Sequence, residues 1–168
     1  MDRTVIIAEI GECFNGDMRQ AKELIQTAKE AGCDYAKFQT LDKAGIADDD
    51  PEKDWFLKIA LDKEQLLQLK EWSEETGIKF LCSPENKNKA EVLKEIGCNE
   101  VKIPSTCLWD NELIGYIAKS FPVVFISTGM ASLKDIDDAL SYFHPNSVYI
   151  LCIVYLNTLQ VLYWKKEV

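Results

Sequence analysis

The sequence holds one histidine, His144, among 168 residues. It precedes Pro145 and has no partner histidine, so it reads as a surface turn residue. Any Ser–His–Asp or Cys–His arrangement would have to rest on it, which argues against that chemistry. Six cysteines are present (Cys13, Cys33, Cys82, Cys98, Cys107 and Cys152), but no C-x-x-C pair occurs. A zinc or redox motif is therefore unsupported, and reduced thiols at buried strand ends are the expectation. No glycine-rich phosphate loop follows the first apolar run, which lowers the nucleotide-binding folds. No stretch approaches the length of a membrane span. The N-terminus enters an apolar run with no basic segment before it, so no signal peptide is expected and a cytoplasmic location is. Positive charge is in short supply: 19 Lys and Arg face 28 Asp and Glu, for a net −9. That balance argues against a nucleic-acid partner, which wants clustered positive charge. A small anionic substrate stays open, because it responds to a few local lysines.

What is present is alternation. Apolar residues make up 47% of the chain, a globular value. Val5–Ile10 is a short apolar run of strand type. Asp17–Ala31 has helical spacing, with Ala21, Leu24, Ile25 and Ala28 on one face and Gly32 at its end. Tyr35–Gln39 is a second strand, and Leu41–Asp54, with its run Asp48-Asp49-Asp50-Pro51, reads as a solvated surface loop. Asp62 with Gln65 forms a capping box ahead of a helix whose face is Leu66, Leu69 and Trp72, ended by Gly77. Strands Lys79–Ser83, Glu100–Ile103, Val123–Ser127 and Val148–Val154 follow. Between them lie helices Lys89–Ile96, Asn111–Lys119 and Leu133–Tyr142. Strict alternation predicts an α/β fold of parallel strands with right-handed crossovers, either doubly wound or a (β/α) barrel.

An internal echo links Gly32–Thr40 with Gly97–Ser105: each runs from a helix-ending glycine into a strand that carries a lysine and ends in a hydroxyl. It sets Lys37 and Lys102 at matching heights on the second and fourth strands. Alternate strands of a barrel feed one interior layer, so the two ammonium groups are expected to share a cavity around an anion. A single lysine at a strand end is more simply a solvated one; the matched pair tips the reading toward an anion. Glu9, inside the apolar Val5–Ile10 run, reads equally as a buried ion-pair partner of a lysine or as an acid/base or sugar-binding carboxylate. Thr40, Ser83, Ser105, Ser127 and Thr128 fall where strands two to five stop. Singly these are ordinary caps and turn residues. Together they predict a polar mouth for a polar ligand.

At this point the motifs resemble a known family, the N-acetylneuraminate (sialic acid) synthases and their bacterial relatives. Ile7-Ala8-Glu9-Ile10-Gly11 with Gly16-Asp17 is similar to the family's I-A-E-I-G-x-N-H-x-G-D opening. Lys37-Phe38-Gln39-Thr40 resembles K-F-Q-T, and Phe80-Leu81-Cys82-Ser83-Pro84 resembles F-x-S-T-P. Lys102-Ile103-Pro104-Ser105 resembles K-I-x-S, and Ser127-Thr128-Gly129-Met130 resembles S-T-G-M. The five lie in the family's order and spacing across about Val5 to Leu140. The resemblance implies a (β/α) barrel that condenses phosphoenolpyruvate with an N-acetylated amino sugar, aided by a divalent metal, manganese in most members. It implies that Lys37, Ser83, Lys102 and Ser105 hold phosphoenolpyruvate with support from Ser127. It implies that Glu9 and Gln39 face the reacting sugar and water, and that the full-length family is homodimeric.

Departures shape the rest of the expectation. Cys13-Phe14 stands where the family has Asn-His, and Cys107 where many members have an acidic residue. The family's sixth-strand motif H-C-x-S-x-Y-P-T, its two later metal-binding histidines and its smaller C-terminal domain have no counterpart here. Residues 1–150 thus read as an incomplete TIM-type barrel of about (βα)5β, and residues 151–168 as a divergent tail. One choice of codons for Leu151–Gln160, shifted by a base, spells a string close to the missing motif. The expectation is a truncated chain with no synthase activity and no metal ligands of its own, its first and sixth strands left as open edges that promote self-association. The alternative is a non-catalytic sugar- or anion-binding pseudoenzyme domain.

Overall fold

A computed structural model of the protein describes residues 4–145, 147–153 and 162–164. These form two compact units, the first ending at Cys82 and the second beginning at Ser83.

The first unit opens with β1 (Ile7–Gly11), α1 (Met18–Glu30) and β2 (Tyr35–Thr40). Asp17 caps α1 by accepting from the Arg19 backbone N–H, and Ala21, Ile25 and Ala28 form its buried stripe. A short 3-10 turn (Lys43–Gly45) leads to α2 (Lys53–Ile59), then to α3 (Lys63–Thr76) and β3 (Lys79–Pro84). The Asp62–Gln65 capping box is present. The buried face of α3 is Leu66, Leu69 and Ser73, not Trp72: the Ser73 hydroxyl satisfies itself on the Leu69 carbonyl at 2.8 Å, and Trp72 lies under the Lys22 ammonium. α1 packs on α3. Phe38 anchors the core, with Phe14 edge-on at 6.1 Å and Phe80 stacked at 6.0 Å.

α2 overlaps the expected loop Leu41–Asp54 only at Lys53 and Asp54 and otherwise fills a stretch for which no element was expected. The acidic run is a surface turn, but the chain after it winds into two helical turns. Glu52 gives no side-chain cap, so the usual start signal is missing. Burial of Ile59, Ala60 and Leu61 holds the segment instead.

The second unit runs α4 (Lys87–Glu95), β4 (Glu100–Ile103), a 3-10 turn (Ser105–Cys107), α5 (Asn111–Ser120), β5 (Val123–Ser127), α6 (Leu133–Leu140) and β6 (Val148–Ile153). α4 and α5 pack together, and Leu93 of α4 and Leu113 and Ile117 of α5 are fully buried.

β1, β2 and β3 neighbour one another in sequence order, as do β4, β5 and β6. β1 pairs with β2, β4 with β5 and β5 with β6, all in parallel. Within each unit the strands follow sequence order, an arrangement shared by a (β/α) barrel and by each half of a doubly wound sheet. The expected α/β class, parallel strands and (βα)5β count all stand.

Two expectations need comment. β6 is not an open edge: Leu162–Trp164 forms β7, antiparallel to it, with Leu151 opposite Trp164 and Ile153 opposite Leu162. An apolar strand edge with unpaired N–H and C=O groups recruits such a β-prone triplet. The rest of the expected divergent tail, residues 154–161 and 165–168, lies outside the described residues.

Candidate functional site

The internal echo is a repeated piece of backbone. After α1, Cys33 N–H reaches the Ala28 carbonyl at 3.0 Å and Gly32 N–H the Lys29 carbonyl at 3.0 Å. After α4, Cys98 N–H reaches the Leu93 carbonyl and Gly97 N–H the Lys94 carbonyl, each at 3.0 Å. Both helices thus end on the same pair of bonds. The chain then enters a strand two residues later, and the lysine comes third in each strand.

In the first unit Lys37 is 1% exposed, the one charged side chain among the described residues counted as buried. Its ammonium donates to Glu9 Oε1 at 2.5 Å and to Gln39 Oε1 at 2.9 Å. Glu9 sits opposite Lys37 in the β1–β2 register, which brings the two side chains to one face. Glu9 itself is half exposed, so it pairs the buried cation while keeping contact with water. Gln39 Nε2 donates in turn to Glu12 Oε1 at 2.6 Å. Sequence reasoning singled out Glu9, Lys37 and Gln39, and the structure brings them together. It missed Glu12, which looks like any acidic turn residue; only a break in strand register, invisible in the sequence, aims it here. Thr40, at the end of β2, is buried with no hydrogen-bond partner for its hydroxyl.

Phe14 is 1% exposed and belongs to the core, whereas Cys13 is an exposed free thiol. A position where the resembling family carries a polar residue has here become packing.

The second unit begins inside β3, at Ser83, and carries hydroxyls at or just after the ends of β3, β4 and β5. Ser83, in β3, is 3% exposed and its hydroxyl has no partner. The Cys107 thiol donates to the Glu85 carbonyl at 3.3 Å, tying the segment after β3 to the one after β4. A Cβ placed on Gly129 would lie 3.3 Å from Ser105 Cβ, so the segments after β4 and β5 also touch. Ser127 and Thr128, at the end of β5, are buried. Lys102 is half-buried on β4 between buried Val101 and Ile103, and its register partner is Phe125 of β5. Burial pushes the Cys107 thiol above its ordinary range, which disfavours thiolate chemistry there. The expectation that Lys37 and Lys102 share a cavity joins residues of different units and stays an expectation.

Among the described residues no group of three or more His, Cys, Asp or Glu converges to hold a metal ion. His144 is exposed. The manganese that the resemblance implies finds no donor set among those residues. Among the same residues no helix is long and apolar enough to cross a membrane.

Parallel strands alternating with helices define an α/β protein, and its likeness to a solved synthase makes the fold of (β/α)-barrel type. The family follows from comparison: residues 24–157 match the NeuB family model, and the chain belongs to the NeuB family. The N,N'-diacetyllegionaminic acid synthase of Campylobacter jejuni is 31% identical over 161 residues, which cover 87% of this chain and 48% of that protein. The N-acetylneuraminate-9-phosphate synthase of Mus musculus is 29% identical over 164 residues, covering 88% of this chain and 46% of that one. Among solved structures, the N-acetylneuraminic acid synthetase of Leptospira borgpetersenii, in complex with citrate, superposes with a TM-score of 0.85 at 30% identity. That match covers 90% of this chain and 54% of the other. The relatives are acid synthases, and the chain spans about half their length.

Proposed function

We propose that the chain carries the phosphoenolpyruvate-binding part of a synthase that makes a nonulosonic, sialic-type acid from phosphoenolpyruvate and an N-acetylated amino sugar. In that reaction C3 of the enol forms a bond to the open-chain aldehyde carbon, and the aldehyde oxygen takes up a proton to become a hydroxyl. Water adds at C2, the bond from C2 to the phosphate oxygen breaks, and phosphate leaves. Ser83, Lys102, Ser105 and Ser127 are assigned to the anionic substrate, as is Lys37. Glu9 and Gln39 are assigned to the sugar and the water. The observation that carries the reading is the Ser83 hydroxyl, buried without a partner at a strand end of a NeuB-family chain. A buried hydroxyl left unpaired is costly unless a ligand completes it.

The 168-residue chain on its own is assigned binding without turnover. Titration of the isotope-labelled chain with phosphoenolpyruvate, against lactate and inorganic phosphate, tests this by nuclear magnetic resonance. Saturable shifts at the ends of β3, β4 and β5, specific to phosphoenolpyruvate, are expected, with no phosphate release when N-acetylmannosamine is added. Absence of saturable binding removes the reading. Sugar-dependent phosphate release overturns the lack of turnover and leaves the binding assignment intact.

A further inference from the structure

The register of β1 against β2 is broken at one point. Glu9 pairs with Lys37, but the next pair is Gly11 with Phe38, so Ile10 is an extra residue without a partner. Such a bulge bends its strand and re-aims the side chains beyond it. Here it is reinforced by Gly11 at φ 53°, a left-handed conformation that costs a residue with a side chain. Cys13 N–H then closes a turn on the Ile10 carbonyl at 2.9 Å. The consequence is that Glu12 comes back over β2 and its carboxylate meets Gln39 Nε2 at 2.6 Å.

A glutamine amide has two faces of opposite polarity. With Oε1 accepting from Lys37 and Nε2 donating to Glu12, both ends of Gln39 are satisfied. Flipped, the amide would set a donor against the ammonium and an acceptor against the carboxylate. Glu12 and Lys37 therefore lock one orientation from opposite sides. We propose that Glu12 is a positioning residue, which acts through Gln39 to hold the Lys37 ammonium where the site uses it. The bulge at Ile10 and the backbone at Gly11 exist to bring it there. This rests on the proposed role of Lys37 in binding phosphoenolpyruvate.

The experiment follows the Gln39 side-chain amide of the nitrogen-15-labelled 168-residue chain in the wild type, Glu12→Ala and Glu12→Gln. Phosphoenolpyruvate affinity is measured on the same samples. In Glu12→Ala the Gln39 amide signals move toward those of a free glutamine, and their solvent exchange speeds up about tenfold, as expected for one lost charge-assisted bond. Phosphoenolpyruvate affinity falls several-fold. Glu12→Gln, whose carboxamide oxygen still accepts from Gln39, restores most of both. Unchanged Gln39 signals in Glu12→Ala overturn the proposal, whether or not affinity falls. If the wild type does not bind phosphoenolpyruvate, the functional reading fails, yet the Gln39 signals still decide the role of Glu12.

Discussion

Lys37 is a structural cost that the proposed function turns into a resource. An ammonium at 1% exposure is costly unless paired, and Glu9 and Gln39 do the pairing. The two partners are unequal, because Glu9 reaches water and Lys37 does not. Glu9→Ala takes the carboxylate away from a buried cation and should cost roughly 2 kcal/mol of stability. Lys37→Met returns Glu9 to water and fills the space with apolar atoms, so it should cost clearly less. Urea unfolding of the two variants checks the order; a larger loss for Lys37→Met would mean that the ammonium is not the buried liability described. Position in the sequence identified Glu9 as an ion-pair partner or a functional carboxylate, and the structure supplies the pair without removing the second role. The sequence could not reveal Glu12 or the burial of Phe14. Both depend on one bulged residue and on an aromatic neighbour 24 positions away.

At the scale of elements, local signals were legible wherever a cap or a strand of the right length marked them. The Asp62–Gln65 capping box, β4 and β5 are where the pattern puts them. α2 was not legible, because tertiary burial and not a cap defines it. Its seat is Gly16, where φ is 75° and an added Cβ would lie 2.5 Å from the Lys58 carbonyl oxygen. Gly16→Ala must therefore move α2 as well as strain the backbone, and should cost about 2 kcal/mol or more. A melting temperature within a degree or two of the wild type would show that α2 is not held there. Helix caps also set a pH dependence. Hydrogen bonds from Arg19 hold the Asp17 carboxyl below its usual range, and those from Ser132 do the same for Asp135 at the start of α6. A lowered folded value means that the cap's contribution is present above about pH 4, the unfolded value, and is lost as pH falls through the folded one. The difference in melting temperature between wild type and Asp17→Ala should therefore be constant near neutral pH and shrink toward zero in acid. A difference that grows in acid contradicts the assignment.

For the molecule as a whole, alternation alone was enough to choose parallel βα units. The choice of a barrel over a doubly wound sheet came from the motif resemblance, not from periodicity, and the likeness to a solved synthase agrees with it. The expectation of two open edges is halved, since β7 occupies the β6 side and, among the described residues, β1 has β2 as its one neighbour. Membership of the NeuB family and a match to about half the length of its relatives leave one question above the rest: whether this chain by itself holds the anionic substrate. Isothermal titration of phosphoenolpyruvate into the 168-residue chain and into Lys102→Ala answers it. The account predicts saturable binding by the wild type and a loss of about tenfold or more in the variant, the worth of one hydrogen bond to a charged group. Equal affinity in the two proteins, or no binding by the wild type, would contradict it.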